Sequence, residues 1–208
     1  MLINVRSGQI DGSLPEAIGF AVGVAETVKN ATGVELGVWQ SLYGRPLGTL
    51  AWSATVESIA ELVGVNQKLA EDATYLEQSD AARSLFIPGS FEDQLTQVVH
   101  TAGTPGTMAF VQAISAVAAP GKQGDAMAWG VEMADYASGV TGNAVTFGAR
   151  QFAEAGQVGW ITGYADADAI DASQAAQSSD AGYAERLVAG AGLFIPGTAS
   201  SMLSQRLN

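Results

Sequence analysis

Two segments of this 208-residue chain repeat each other at one fixed spacing. Leu85-Phe86-Ile87-Pro88-Gly89 returns as Leu193-Phe194-Ile195-Pro196-Gly197, and Trp52 returns as Trp160, each pair separated by 108 positions (193 − 85 and 160 − 52). The same shift carries Gly48 onto Gly156, Leu95 onto Leu203, and the string Asp72-Ala73-x-Tyr75-x-Glu77 onto Asp180-Ala181-x-Tyr183-x-Glu185. A period of this size is that of a duplicated domain, since solenoid units repeat at roughly 20–50 residues. The chain therefore reads as two similar domains, 1–103 and 104–208. A small, uncharged stretch, Thr101 to Thr107 with Gly103, Pro105 and Gly106, has the composition of a linker between them.

Each copy carries the same succession of signals. In the first, Leu2 to Gln9 reads as a strand ended by Asp11-Gly12-Ser13. Ser13 then opens a helix as N-cap, with Pro15 in the first turn and Glu16 completing a capping box. Ile18, Val22, Ala25 and Val28 form its apolar stripe, and Gly33 stops it. Alternation from Val34 to Trp39 predicts a second strand, and Leu47 to Ser53 a third, paired as a hairpin. Thr55 is expected to cap a second helix that breaks at Gly64 to Asn66 and restarts at Asp72. Ile87-Pro88-Gly89 turns the chain into a fourth strand, Phe91 to Val99. The order β-α-β-β-α-β is a ferredoxin-like unit, an antiparallel sheet with helices on one face. Strand residues of both parities are largely apolar, so the other face also needs cover. The sister sheet supplies it, which predicts an α+β fold of two tandem repeats whose antiparallel sheets pack into one intramolecular barrel.

Composition narrows the partners. With 48% hydrophobic and 14% charged residues the chain can bury a large core and lies far from the disordered regime. Its net charge of −12 repels phosphate backbones and anionic lipid, so neither nucleic acid nor membrane is expected as a partner. There is no cysteine, which removes disulfides, thiolate nucleophiles and Cys-ligated metal sites. No basic leader with an apolar core opens the sequence and no run of 18 apolar residues occurs, so the expected location is cytoplasmic.

The paired second-helix strings Asp72-x-x-Tyr75 and Asp180-x-x-Tyr183, and the two Leu-Phe-Ile-Pro-Gly turns, resemble the dimeric α+β barrel superfamily. The likeness is to its NIPSNAP-like and cofactor-free monooxygenase-like branches, and it spans essentially the whole chain. The resemblance implies a small-molecule ligand in a cleft between a sheet and its helices. It implies no single reaction, because the superfamily includes cofactor-free monooxygenases, cyclases, haem enzymes and isomerases. A homodimer is compatible with it.

Residues able to carry chemistry are few. His100 is the only histidine, and its place in the second copy is taken by Asn208; it reads either as a general base or as a strand-end surface residue. The second helices carry no histidine, so no haem and no other cofactor is expected. Asp166, Asp168 and Asp171 sit at a helix start and read as caps, and no metal site is expected. Trp52 and Trp160, kept by both copies, read first as core. Divergence between copies is the better guide to function. Arg6 faces Ile114 across the repeat and Asn4 faces Gln112, so only the first copy keeps a charge on strand one. The candidate catalytic pair is therefore Arg6 and His100, with Asn4, Trp39, Tyr43 and Trp52 as ligand-binding residues. Together they suit oxygenation or cyclisation of a small hydrophobic or aromatic molecule. The alternative is a binding or assembly module without catalysis.

Overall fold

The computed structural model describes residues 1–208. Its elements run β1 (Leu2–Gln9), α1 (Leu14–Thr32), β2 (Gly37–Tyr43), β3 (Thr49–Val56), α2 (Ile59–Glu71), α3 (Ala73–Ala81) and β4 (Glu92–Ala102). They continue as β5 (Phe110–Val117), α4 (Gln123–Thr141), β6 (Val145–Gln151), β7 (Gln157–Tyr164), α5 (Ala167–Ser179), α6 (Ala181–Gly190) and β8 (Ser200–Arg206). The hydrogen-bonded strand order, β1-β3-β2-β8-β5-β7-β6-β4, closes on itself as the α+β barrel that the repeat and the strand parity predict. The compact units are Met1–Leu95 with Ser204–Asn208, and Thr96–Leu203. The sequence copies 1–103 and 104–208 are related to these units by an exchange, because the far ends of β4 and β8 each belong to the unit built by the other copy.

In the N-terminal unit, α1 buries Ala17, Ala21, Ala25 and Val28 against Val38, Leu50, Trp52 and Phe86. The stripe lies one position away from the expected Ile18 and Val22, which are half-buried. Small side chains let the helix approach the sheet closely, and the space is filled from the sheet side by Trp52, whose indole N–H donates to the Ala21 carbonyl at 2.9 Å. Ser13 starts the helix without a side-chain cap, since Pro15 has removed one of the two N–H groups it would serve. β2 begins at Gly37 and β3 runs on to Val56, so Ser58 rather than Thr55 caps α2, accepting from the Glu61 N–H at 3.1 Å. Gly64 to Asn66 does not break α2. One glycine costs a helix only about 1 kcal/mol. The break falls at Asp72, which accepts from the Tyr75 N–H at 2.8 Å and starts α3.

The C-terminal unit repeats this plan. Asp166 caps α5 and Asp180 caps α6, each through its side-chain oxygen. Phe147, wholly buried, packs against Trp160 at a tilt of 34°, with Val145, Val158, Ala134 and Ala137 around them. Trp160 donates to the Gly130 carbonyl at 2.9 Å, as Trp52 does to Ala21, so the repeated tryptophans tie the first helix of each unit to its sheet. The 108-residue shift maps β1, β3 and α2 onto β5, β7 and α5 residue for residue. The first helix and second strand follow a shift of 109 instead, because Trp52 pairs with Val38 while Trp160 pairs with Phe147.

No helix is long and apolar enough to cross a membrane. One residue departs from backbone rules. Phe152, in the β6–β7 hairpin, has φ +53° and is 88% exposed. A left-handed conformation costs a non-glycine residue about 1–2 kcal/mol, of which the extra flexibility of an unfolded glycine offsets part. Phe152→Gly is therefore expected to raise stability by about 1 kcal/mol, a rise in Tm of roughly 2–4 °C. A lower Tm in a thermal melt would mean that the ring makes a stabilising contact.

Candidate functional site

β1 and β3 lie side by side in a register that pairs Asn4 with Ala54 and Arg6 with Trp52. Trp52 packs toward α1, so Asn4, Arg6 and Gly8 share its helix-facing side of the sheet. Gly8 leaves room for rings. A Cβ there would stand 2.8 Å from Phe91, whose ring stacks on Trp52 at 6.4 Å and meets Phe86 at 5.1 Å. Beside this aromatic wall Arg6 donates from Nε and Nη2 to the two carboxylate oxygens of Asp93, at 2.7 and 2.8 Å. The pair is bidentate and half-exposed, with side-chain exposures of 48% and 56%. The hydrogen bonds to Asp93, opposed by partial burial and supported by Tyr75 on α3, hold the Arg6 pKa above even its ordinary value. Arg6 is a permanent cation with one edge fixed by Asp93 and its position set by the fold.

The structure separates the other sequence candidates from this group. Trp39 pairs with Ala51 and points to the opposite side of the sheet from Trp52, where its indole N–H donates to Ser53 at 2.8 Å and Arg206 lies 5.7 Å from its ring centroid. Tyr43 ends β2 and is 72% exposed. Neither joins Arg6. Trp52 is core by its burial and its bond to Ala21, with Phe91 stacked beside it. His100 belongs to the C-terminal unit, where its Nε2 meets Asp135 of α4 at 2.7 Å. Its counterpart Asn208 has different partners, accepting from the Val38 N–H and donating to the Leu36 carbonyl.

Asp93 was the residue to add. Its signal was present in the repeat: Arg6 becomes Ile114 and Asp93 becomes Ser201, two opposite charges removed together. No group of three or more His, Cys, Asp or Glu side chains stands in a metal-binding arrangement. Haem enzymes of the resembled superfamily rely on an axial histidine, and here the one histidine is bound to Asp135 while α5 and α6 carry none. The residues do not fit such a group, and no step of the chemistry runs through it.

No protein-family model matches the chain, and no curated protein matches it in sequence. Solved structures do match. All of the chain is similar to 92% of a presumed monooxygenase from Fusobacterium nucleatum, with a TM-score of 0.75 at 9% identity. An anthrone oxidase-like protein matches 100% of the chain over 91% of its own length, at a TM-score of 0.64 and 16% identity. A presumed chlorite dismutase matches 100% of the chain and 96% of its own length, at 0.57 and 8%. At such identities the likeness is one of fold.

Proposed function

We propose that this chain, which has the dimeric α+β barrel fold, binds a small planar aromatic molecule through a carbonyl or phenolic oxygen in its N-terminal unit, and oxygenates it without a cofactor. The observation that carries the reading is the Arg6–Asp93 pair set against Trp52, Phe86 and Phe91, in the one copy that keeps the charges. Asp93 holds one edge of the guanidinium, and the remaining N–H groups face the ligand as fixed donors. In that position Arg6 stabilises the enolate or phenolate that a fused-ring ketone forms on losing a proton, which is the electron-rich species that reduces dioxygen. The monooxygenase-like and anthrone oxidase-like neighbours support the reaction class; the residues assigned to it come from this chain alone.

Anthrone serves as the probe. In the proposed reaction its central CH2 is oxidised to a carbonyl, one O2 is consumed, and anthraquinone and one water are released. Oxygen uptake at one O2 per anthraquinone, above the spontaneous rate and lost in Arg6→Ala, is the expected result. Anthraquinone binding without accelerated uptake would leave the alternative of a binding module, and absence of both would reject the site.

A further inference from the structure

Three pairs of touching residues change together between the copies. Gly8 admits the Phe91 ring, Arg6 binds Asp93, and Arg45 of the β2–β3 hairpin donates from Nη1 to the Glu92 carboxylate at 3.0 Å. At the 108-residue shift Gly8 and Arg6 become Ala116 and Ile114, and Phe91-Glu92-Asp93 becomes Ala199-Ser200-Ser201. A shared bond fixes the correspondence, because the Ser90 hydroxyl accepts from the Gln9 N–H as the Thr198 hydroxyl does from the Val117 N–H. The second hairpin, Phe152 to Gly156, holds no basic residue. Charges that only solvate a surface have no reason to change in contacting pairs. Here each residue is replaced along with the one it touches, and all three pairs meet in one tripeptide.

Strand alternation says what the third pair does. Phe91 and Asp93 are two positions apart and both reach the helix-facing side, one to Gly8 and Trp52, the other to Arg6. Glu92 lies between them and turns away from that side, to Arg45. It is the first residue of β4, and strand ends are where a sheet opens most readily. The hairpin that carries Arg45 is itself anchored, since Gly48 accepts from the Ile10 N–H at 2.9 Å and the Thr49 hydroxyl donates to the Pro46 carbonyl at 2.7 Å. Arg45 is also the more enclosed of the two arginines, its side chain 29% exposed against 48% for Arg6.

We infer that Arg45, acting through Glu92, is a positioning residue of the N-terminal site. It holds the start of β4 so that Asp93 keeps Arg6 in place and Phe91 keeps the aromatic wall. Its bearing on a ligand rests on the reading of Arg6 as the ligand's donor; its hold on Arg6 does not.

Solvent exchange of the Arg6 Nε–H, followed by 15N NMR in the free protein, tests that hold without a ligand. Arg45→Ala is expected to speed it by about two- to fivefold, the range an exposed ion pair supplies. Glu92→Gln should do the same, and the double variant no more than either, since both break one pair. Arg45→Lys should recover most of the protection. The Trp52 indole N–H, bonded to Ala21, is the control and should exchange as in the natural protein. Anthraquinone affinity should fall by the same factor of about two to five in Arg45→Ala. An unchanged Arg6 rate, equal acceleration of Arg6 and Trp52, additive effects of the two single variants, or full anthraquinone affinity in Arg45→Ala would each overturn the inference. Failure of the natural protein to bind anthraquinone, with the Arg6 rate still answering to Arg45, would reject the ligand reading and support the positioning of Arg6 by Arg45.

Discussion

Trp52→Ala is expected to lose about 3–5 kcal/mol of stability, the range for truncating a large buried aromatic. Trp52 is 7% exposed, packs on Phe86 at 5.8 Å and Phe91 at 6.4 Å, and carries the bond to Ala21 that holds α1 to the sheet. Removing the indole leaves a cavity beneath Ala17, Ala21 and Ala25 of α1, whose short side chains cannot repack into it. Chemical denaturation reads the loss. A change below about 1 kcal/mol would show that the ring is not a core element and would reopen it as a ligand contact.

Gly130→Val is expected to destabilise by roughly 1–3 kcal/mol or more through overpacking. A Cβ at this position of α4 would overlap the Phe147 ring, and that ring is wholly buried and packed against Trp160 with centroids 5.1 Å apart. The ring cannot yield without moving Trp160, whose N–H is bound to the Gly130 carbonyl itself. A double variant, Gly130→Val with Phe147→Leu, should recover part of the loss if the clash is the cause. Equal stability of Gly130→Val and the natural protein would refute the close approach of helix and sheet.

Much of the fold was legible because its determinants are local or repeated. β1 ends where Asp11-Gly12 punctuates it, and Asp72 and Asp180 cap the helices that follow them through a short-range bond. The errors came from long-range packing. Of the stripe read from the sequence, Ala25 and Val28 are buried, while Ala17 and Ala21 take the places expected of Ile18 and Val22 because Trp52 fills the volume from the sheet side. α2 runs through Gly64, because an isolated glycine is tolerated in a helix held by tertiary contacts.

The candidate site was legible in part for the same reason. Divergence between copies pointed to Arg6, but its partner Asp93 lies 87 residues away and is found only when both copies are read for paired change. Grouping Trp39 with Arg6 overlooked strand alternation, which sends Trp39 and Trp52 to opposite faces. His100 lies in the C-terminal unit with its ring bound to Asp135 of α4, a long-range contact that no local pattern in the sequence shows.

Binding of an aromatic ketone by the N-terminal unit through Arg6 is the central proposal. Anthraquinone affinity, measured by calorimetry for the natural protein, Arg6→Ala and Arg150→Ala, tests this most directly, since Arg150 of β6 is a cation of the other unit. A charge-assisted hydrogen bond contributes roughly 1.5–3 kcal/mol, so Arg6→Ala should weaken binding about tenfold or more while Arg150→Ala leaves it unchanged. Loss in Arg150→Ala with full affinity in Arg6→Ala would place the ligand in the C-terminal unit and contradict the account.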